Sequence, residues 1–250
     1  MKITRYKISA PEKMKAAVVA DLHGKPTSGL YEALKAEKPD VILVPGDLCT
    51  IGEYDDRSVA PERREKWLRT QKEAISFLKT AVDIAPVYYS RGNHEWSLDD
   101  EYRNTVKETS TVLLENEWAE YCPGLFIGGL NSAQCCNVNK DGKESTETRR
   151  PDIDWLKRST PDGYRLLLCH HPEYYPAVEP YADCILSAHA HGGMWRLFGR
   201  GVYAPGQGLW PTYTKGVYGK MIVSAGLTNT VKYVPRFFNP TELVIITFGQ

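Results

Sequence analysis

Each of the six histidines of this chain stands where an apolar run gives way to a turn, close to Asp, Asn or Gly. His23 lies in Asp21-Leu22-His23 and His94 in Gly92-Asn93-His94-Glu95. His170 and His171 form a pair, and His189-Ala190-His191 makes the last cluster. Histidine used for packing or solubility also turns up in helices and surface loops. Here each cluster follows what reads as a buried strand, so the chain must fold with several strand ends converging. That points to a metal site built from strand ends.

The organisation of the chain agrees with such a fold. The segments 15–20, 41–44 (VILV), 86–90, 111–114, 125–130, 165–169, 184–187, 221–224 and 243–247 read as strands. The continuous apolar run 41–44 is the pattern of a strand covered on both faces. Helices are expected over 29–37 with Ser28 as cap, over 61–82, over 99–107 and over 152–157. The polar stretch 131–151 reads as a loop, and 192–219, rich in Gly, Pro and aromatics, as irregular or hairpin structure. No repeat and no Gly/Ser linker divides the 250 residues. The expectation is one α/β domain over 1–250, with a mixed, two-layered sheet system flanked by helices.

Composition excludes some function classes. The 31 basic and 31 acidic residues cancel, which argues against sequence-independent attraction to nucleic acid. No stretch approaches the roughly 20 apolar residues that span a bilayer. The N-terminus lacks the apolar core of a signal peptide, so the expected location is cytoplasmic. None of the six cysteines forms a C-x-x-C pair, so neither a zinc ribbon nor a thioredoxin-like motif is supported.

Five strand ends deliver Asp21, His23, Asp47, Asn93, His94, His170, His189 and His191. Ligands of open α/β sheets sit outside the carboxyl ends of strands. Residues two apart on an extended segment point to one side, so Asp21 with His23, and His189 with His191, can face a common cleft. Oxygen and imidazole donors without thiolate suit manganese, iron, zinc or cobalt better than calcium. Eight polar groups exceed the needs of one tetrahedral ion, and two ions sharing a carboxylate account for them better. Such a pair, about 3.5–4 Å apart, forms a clamp for phosphoryl transfer.

In this order, Asp-x-His, Gly46-Asp47, Gly-Asn-His-Glu, a His after a strand and His-x-His resemble the calcineurin-like metallophosphoesterase superfamily. Gly192-Gly193, Tyr203-Ala204-Pro205, Gly206-Gln207-Gly208 and 235–239 (PRFFN) resemble its bacterial phosphodiesterase branch, often found near membranes or cell wall. The resemblance implies a four-layer α/β/β/α sandwich with two mixed sheets. It implies hydrolysis of a phosphodiester or phosphoanhydride by a metal-bound hydroxide at two divalent ions, manganese foremost. Asp21, His23 and His191 would hold one ion and Asn93, His170 and His189 the other, with Asp47 bridging. His94 would protonate the leaving oxygen or orient the phosphate, its ordinary pKa lying near neutrality. Asp47 and His94 are thus the catalytic pair, and Asn93, His94 and Arg196 the substrate contacts. Glu95 would orient a histidine, as carboxylates do around metals; His171 receives no task, and its replacement is expected to matter least. Ala188 stands where the family usually has Gly, and its methyl is expected to crowd the turn. Met194 stands where Gln is common, and Asn131-Ser132 where Asp is frequent.

Simpler readings compete at some positions. Trp195, Phe198, Tyr203, Trp210, Tyr213 and Tyr218 form either a lipid-contacting rim with Arg196, Arg200 and Lys215 or a satellite cluster packed over the sheet. The packed cluster is the simpler expectation. A phosphomonoesterase, a nuclease and a non-catalytic scaffold are the alternative functions. The expected partner is a small-molecule or lipid-linked phosphoester, with peripheral membrane contact and no nucleic acid.

Overall fold

In a parallel sheet with both faces covered, alternate residues of one strand enter different cores, and Val41–Val44 does so. Val41 and Leu43 pack in one core while Ile42 and Val44 pack in another. The computed structural model describes residues 1–25, 28–50, 61–95, 98, 100–132, 151–228 and 236–249. In chain order the elements are β1 (Lys2–Ile8), β2 (Met14–Val18), α1 (Leu30–Glu37), β3 (Val41–Val44), α2 (Pro61–Val82), β4 (Val87–Ser90), α3 (Asp100–Glu108) and β5 (Val112–Leu114). Then follow β6 (Glu117–Cys122), β7 (Leu125–Leu130), α4 (Ile153–Ser159), β8 (Tyr164–Cys169), α5 (Tyr175–Val178) and β9 (Cys184–Ser187). The short strands β10 (Arg196–Leu197), β11 (Arg200–Gly201), β12 (Tyr203–Ala204) and β13 (Gly208–Leu209) precede β14 (Gly216–Tyr218), β15 (Met221–Val223) and β16 (Glu242–Phe248).

Two six-stranded mixed sheets result, ordered β1-β16-β2-β3-β4-β5 and β14-β15-β9-β8-β7-β6. Within the first, β2 through β5 run parallel; within the second, β15, β9, β8 and β7 do. The core between the sheets holds Val18, Leu43, Ile127, Leu166, Leu186 and Ile246. Leu34 of α1, Phe77 of α2 and Val106 of α3 cover the outer face of the first sheet. Leu156 of α4 and Val178 of α5 cover the second, against Leu167 and Ile185. The layers are therefore α/β/β/α. Parallel pairing places the carboxyl ends of β2, β3, β4, β8 and β9 along one edge, where the histidine clusters begin.

Differences from the sequence expectations have local causes. The cap of α1 is Gly29 in a left-handed conformation, with no side-chain bond, rather than Ser28. Two edge strands, β1 and β6, were not expected, because their charged, half-exposed sequences lack an apolar run. The stretch 192–219 contains the two short antiparallel hairpins β10–β11 and β12–β13. Most of the expected loop at 131–151, from 133 to 150, lies outside the described residues.

Candidate metal centre

Side chains lean together at this edge because the backbone takes up unusual conformations. Asp21, His23, Asp47, His189 and His191 all have positive φ, at 52°, 50°, 57°, 60° and 46°. Non-glycine residues adopt that region rarely and at a cost, and it clusters at functional sites. The turns are held by main-chain bonds that continue the β2–β3 ladder: Asp21 N–H donates to Gly46 O at 3.2 Å and His23 N–H to Asp47 O at 2.9 Å. Thr228 Oγ1 donates to Asp21 O at 2.8 Å. Gly92 cannot be anything larger without movement, since a Cβ there would lie 2.0 Å from Asp47 Oδ1.

Among the described residues the side chains form four overlapping groups, Asp21–His23–His191, His23–Asp47–His94, Asp47–His170–His189 and His171–Glu173–His189, with ligand atoms within 4.8 Å of one another in each. Asp47 Oδ2 lies 3.6 Å from His23 Nε2 and 3.2 Å from His170 Nε2. Asn93 Oδ1 is 3.1 Å from His170 Nε2, and Asp21 Oδ2 is 3.9 Å from His191 Nδ1. His94 is joined through its main chain, whose N–H donates to Asp47 Oδ1 at 3.0 Å. Its ring stands 4.8 Å from that of His23, edge to face. The structure therefore brings together all eight residues singled out in the sequence, with Asp47 between the outer groups.

Several of these atoms fit a cation. Both carboxylate oxygens of Asp21, both ring nitrogens of His23 and Asp47 Oδ2 are buried with no hydrogen-bond partner among the described residues. Buried polar atoms without partners are costly, and a divalent ion satisfies them together. Protonation follows from the surroundings. Burial holds His23 and His189 well below the usual histidine range, and burial and then Arg236 hold His191 at about 3. These three are neutral, as metal ligands must be. Burial and then repulsion from Asp47 raise Asp21 to about 7, although His170 and Arg236 draw it down. Burial opposes the charge on His170, but the Asp47 carboxylate beside it prevails and carries it up to about 9. His170 Nδ1 faces Pro45 O at 3.2 Å, and a carbonyl only accepts, so that nitrogen carries a proton and Nε2 faces the cluster.

Surrounding residues depart from expectation. Glu95 touches no histidine in any described hydrogen bond: its carboxylate accepts from Asp47 N at 3.0 Å, Gly92 N at 2.7 Å and Cys49 N at 3.0 Å. It clamps the two ligand turns through their main chains. Arg196 Nη1 donates to Gly192 O at 2.8 Å and Thr214 Oγ1 at 3.1 Å, and its Nη2 to Gly199 O, so its donors serve the loop around it. The arginine that reaches the ligands is Arg236, with Nη2 3.2 Å from His191 Nδ1. Sequence reasoning missed that role because 45 residues separate the two. His171 is buried, its ring 4.2 Å from that of His189, with Nδ1 bonded to the Ser132 hydroxyl. Ala188 is fully buried with an ordinary negative φ, so its methyl does not crowd the turn. The aromatic segment is only partly a packed cluster: Tyr213 and Tyr218 pack on the second sheet, whereas Trp195, Phe198, Tyr203 and Trp210 are exposed.

A family model described as calcineurin-like phosphoesterase matches residues 14–193, from β2 to just past His191. No curated protein matches the chain. Among solved structures, sulfate thiohydrolase SoxB of Thermus thermophilus in complex with glycerol is 13% identical, with 85% of this chain and 51% of that chain covered and a TM-score of 0.47. A metallophosphoesterase from Sphaerobacter thermophilus is 13% identical, with 88% of this chain and 80% of that chain covered and a TM-score of 0.36.

Proposed function

The chain belongs to the calcineurin-like phosphoesterase family of metal-dependent hydrolases, and from that premise we propose that it cleaves a phosphodiester or phosphoanhydride at a two-ion centre bridged by Asp47. Asp47 carries the reading, because it is common to two ligand groups and its buried Oδ2 stands between His170 Nε2 at 3.2 Å and His23 Nε2 at 3.6 Å. Asp21, His23 and His191 would hold one ion; Asn93, His170 and His189 would hold the other. Manganese is the proposed metal, the donor set being oxygen and imidazole. When bound, the ions supply Lewis acidity, an activated water and charge to offset the phosphoryl oxygens.

The chain's own groups do the rest. Pro45 O fixes the tautomer of His170, and the Glu95 carboxylate fixes the turns of Asp47 and Gly92. His94, half-buried with its ring 4.8 Å from that of His23, is the group placed to face the leaving oxygen. The decisive measurement is hydrolysis of bis(p-nitrophenyl) phosphate with Mn²⁺, together with metal analysis. Asp47→Ala and His191→Ala are expected to abolish turnover, and full activity in either would overturn the reading. His94→Ala is expected to lower turnover with metal content kept; metal loss instead would reassign it.

The proposed substrate is a small-molecule or lipid-linked phosphoester rather than nucleic acid, met at a membrane surface. Support comes from the hairpins beside His191, where Phe198 is fully exposed at 104%, Leu209 at 71% and Trp210 at 68%. In the segment that follows His191, Arg200 and Lys220 are exposed cations. Exposed aromatics with cations favour an anionic interface. No helix among the described residues is long and apolar enough to cross a membrane. Flotation with phosphatidylglycerol vesicles is expected to carry the protein upward; absence of co-flotation removes the membrane part alone.

A further inference from the structure

We propose that Arg236 is the phosphoryl-binding cation of this site, a role the sequence pattern assigns to Arg196. The inference rests on the phosphoesterase reading above and adds to it the residue that receives the substrate's non-bridging oxygens.

Three observations carry it. Arg236 Nη2 stands 3.2 Å from His191 Nδ1, at the edge of the Asp21–His23–His191 group. Its side chain is half-buried or better, yet no carboxylate among the described residues lies within ion-pair distance. The carboxylates acting on it from farther away are Asp21 and Glu242. Its donors are incompletely used: Nη1 donates to Ala225 O at 2.7 Å and Nη2 to Thr228 O, while Nε is buried with no acceptor.

A guanidinium has five N–H donors in a planar fork and accepts nothing. Carbonyl oxygens and a neutral imidazole nitrogen are weaker acceptors for it than an anionic oxygen. A buried cation without a counter-ion is stable only where its environment awaits an anion or supplies one at a distance. Its one side-chain partner among the described hydrogen bonds is His191, a residue of the proposed centre, which is where a phosphoryl group would sit. The carbonyls of Ala225 and Thr228 hold the fork in place, so the donors are aimed before substrate arrives. Arg196 makes as many hydrogen bonds, but to Gly192, Gly199 and Thr214 of its own loop and none to a residue of the proposed centre.

A purely structural Arg236 would pin the 225–228 turn and nothing more, so the test must separate the two roles. Wild type, Arg236→Met and Arg236→Lys are compared for bound metal, for thermal stability and for competitive inhibition by inorganic phosphate against bis(p-nitrophenyl) phosphate. The expected result is an inhibition constant and KM raised about ten-fold or more in Arg236→Met, with partial rescue in Arg236→Lys. Metal binding in Arg236→Met should be at least as tight as in wild type, because a neighbouring positive charge has gone. Unchanged phosphate inhibition in a folded, metal-loaded Arg236→Met overturns the proposal. So does loss of metal in proportion to loss of phosphate binding in both variants, which is the signature of a structural pin. If wild type itself binds no metal and hydrolyses no ester, the phosphoesterase reading has failed first, and that result is distinct from either.

Discussion

Replacing Glu95 tests whether the metal centre is held from below through its main chain. The wild-type carboxylate is buried and accepts three N–H bonds, Oε2 from Asp47 and Gly92 and Oε1 from Cys49. Glutamine keeps one acceptor oxygen. Placed at the Oε2 position it preserves the bonds from Asp47 and Gly92, but turns its NH₂ toward the Cys49 N–H. One buried donor is then unsatisfied, at about 1–3 kcal/mol. The cost falls toward the lower end of that range, because burial, and then Asp47, already raise the pKa of Glu95 and penalise its charge. Alanine leaves all three donors without the carboxylate, at about 3 kcal/mol or more. For a chain of this length each kcal/mol lowers Tm by about 2–4 °C, so calorimetry resolves Gln from Ala. The functional readout is sharper. Asp47 is shared by two of the ligand groups, so Glu95→Ala should weaken both of the proposed ions together, by about ten- to a hundred-fold. A carboxylate that oriented one histidine would weaken one ion. Near-wild-type stability in Glu95→Ala, or selective loss of a single ion, would refute the clamp.

Four further outcomes follow from the geometry. A Cβ at Gly226 would lie 2.3 Å from Asp21 Oδ2 at a φ of 72°, whereas one at Gly92, with no positive φ, would lie 2.0 Å from Asp47 Oδ1. Metal titration should therefore show Gly226→Ala impairing the Asp21 group alone and Gly92→Ala impairing both; equal effects would count against the division of ligands. In the metal-free protein Asp21 titrates at about 7 and His170 at about 9, and both must lose protons to bind an ion, so metal affinity should climb from pH 6 to pH 9. The raised His170 pKa also stabilises the metal-free fold fully below the ordinary histidine range, and that contribution is lost as pH rises through about 9; a flat melting profile between pH 6 and pH 9 would contradict it. His171→Ala should destabilise the fold by about 2 kcal/mol or more, since its buried ring packs on His189 and Tyr174, against the expectation that its replacement matters least; an unchanged melting curve restores that expectation.

Elements with a strong period were legible from sequence alone. Val41–Val44, Pro61–Val82, Leu125–Leu130 and Cys184–Ser187 have the expected bounds, because each carries either an unbroken apolar run or a helical stripe. The strand Lys2–Ile8 was not legible. It pairs in parallel with Glu242–Phe248 at the far end of the chain, and its alternation of Lys, Arg and Thr with apolar residues looks like surface. Partner choice across that distance leaves no local mark. The hairpins after His191 were legible as irregular structure, but not as exposed structure. Aromatic content predicts burial on average, and the average fails for Phe198 and Trp210, each of which lies just past the end of a two-residue strand and is exposed.

The same distinction separates the ligands from the groups that hold them. A candidate ligand at a strand end is marked in sequence twice, by the apolar run before it and by its own chemistry, so Asp21, Asp47, Asn93, His170 and His189 could be singled out one at a time. Their supports carry no such double mark. Glu95 looks like a partner for its neighbour His94, yet its carboxylate turns back to the main chain of Asp47, 48 residues away. Arg236 and Arg196 sit in similar aromatic surroundings, and only the fold decides which one reaches His191, 45 residues before Arg236. The left-handed φ at Asp21, His23, Asp47, His189 and His191 is likewise invisible in residue type. It persists because the neighbouring strands over-determine the turns through bonds such as His23 N to Asp47 O. Sequence therefore reports which side chains can meet at such a centre. How firmly they are held, and which cation waits beside them, is written in contacts between distant segments.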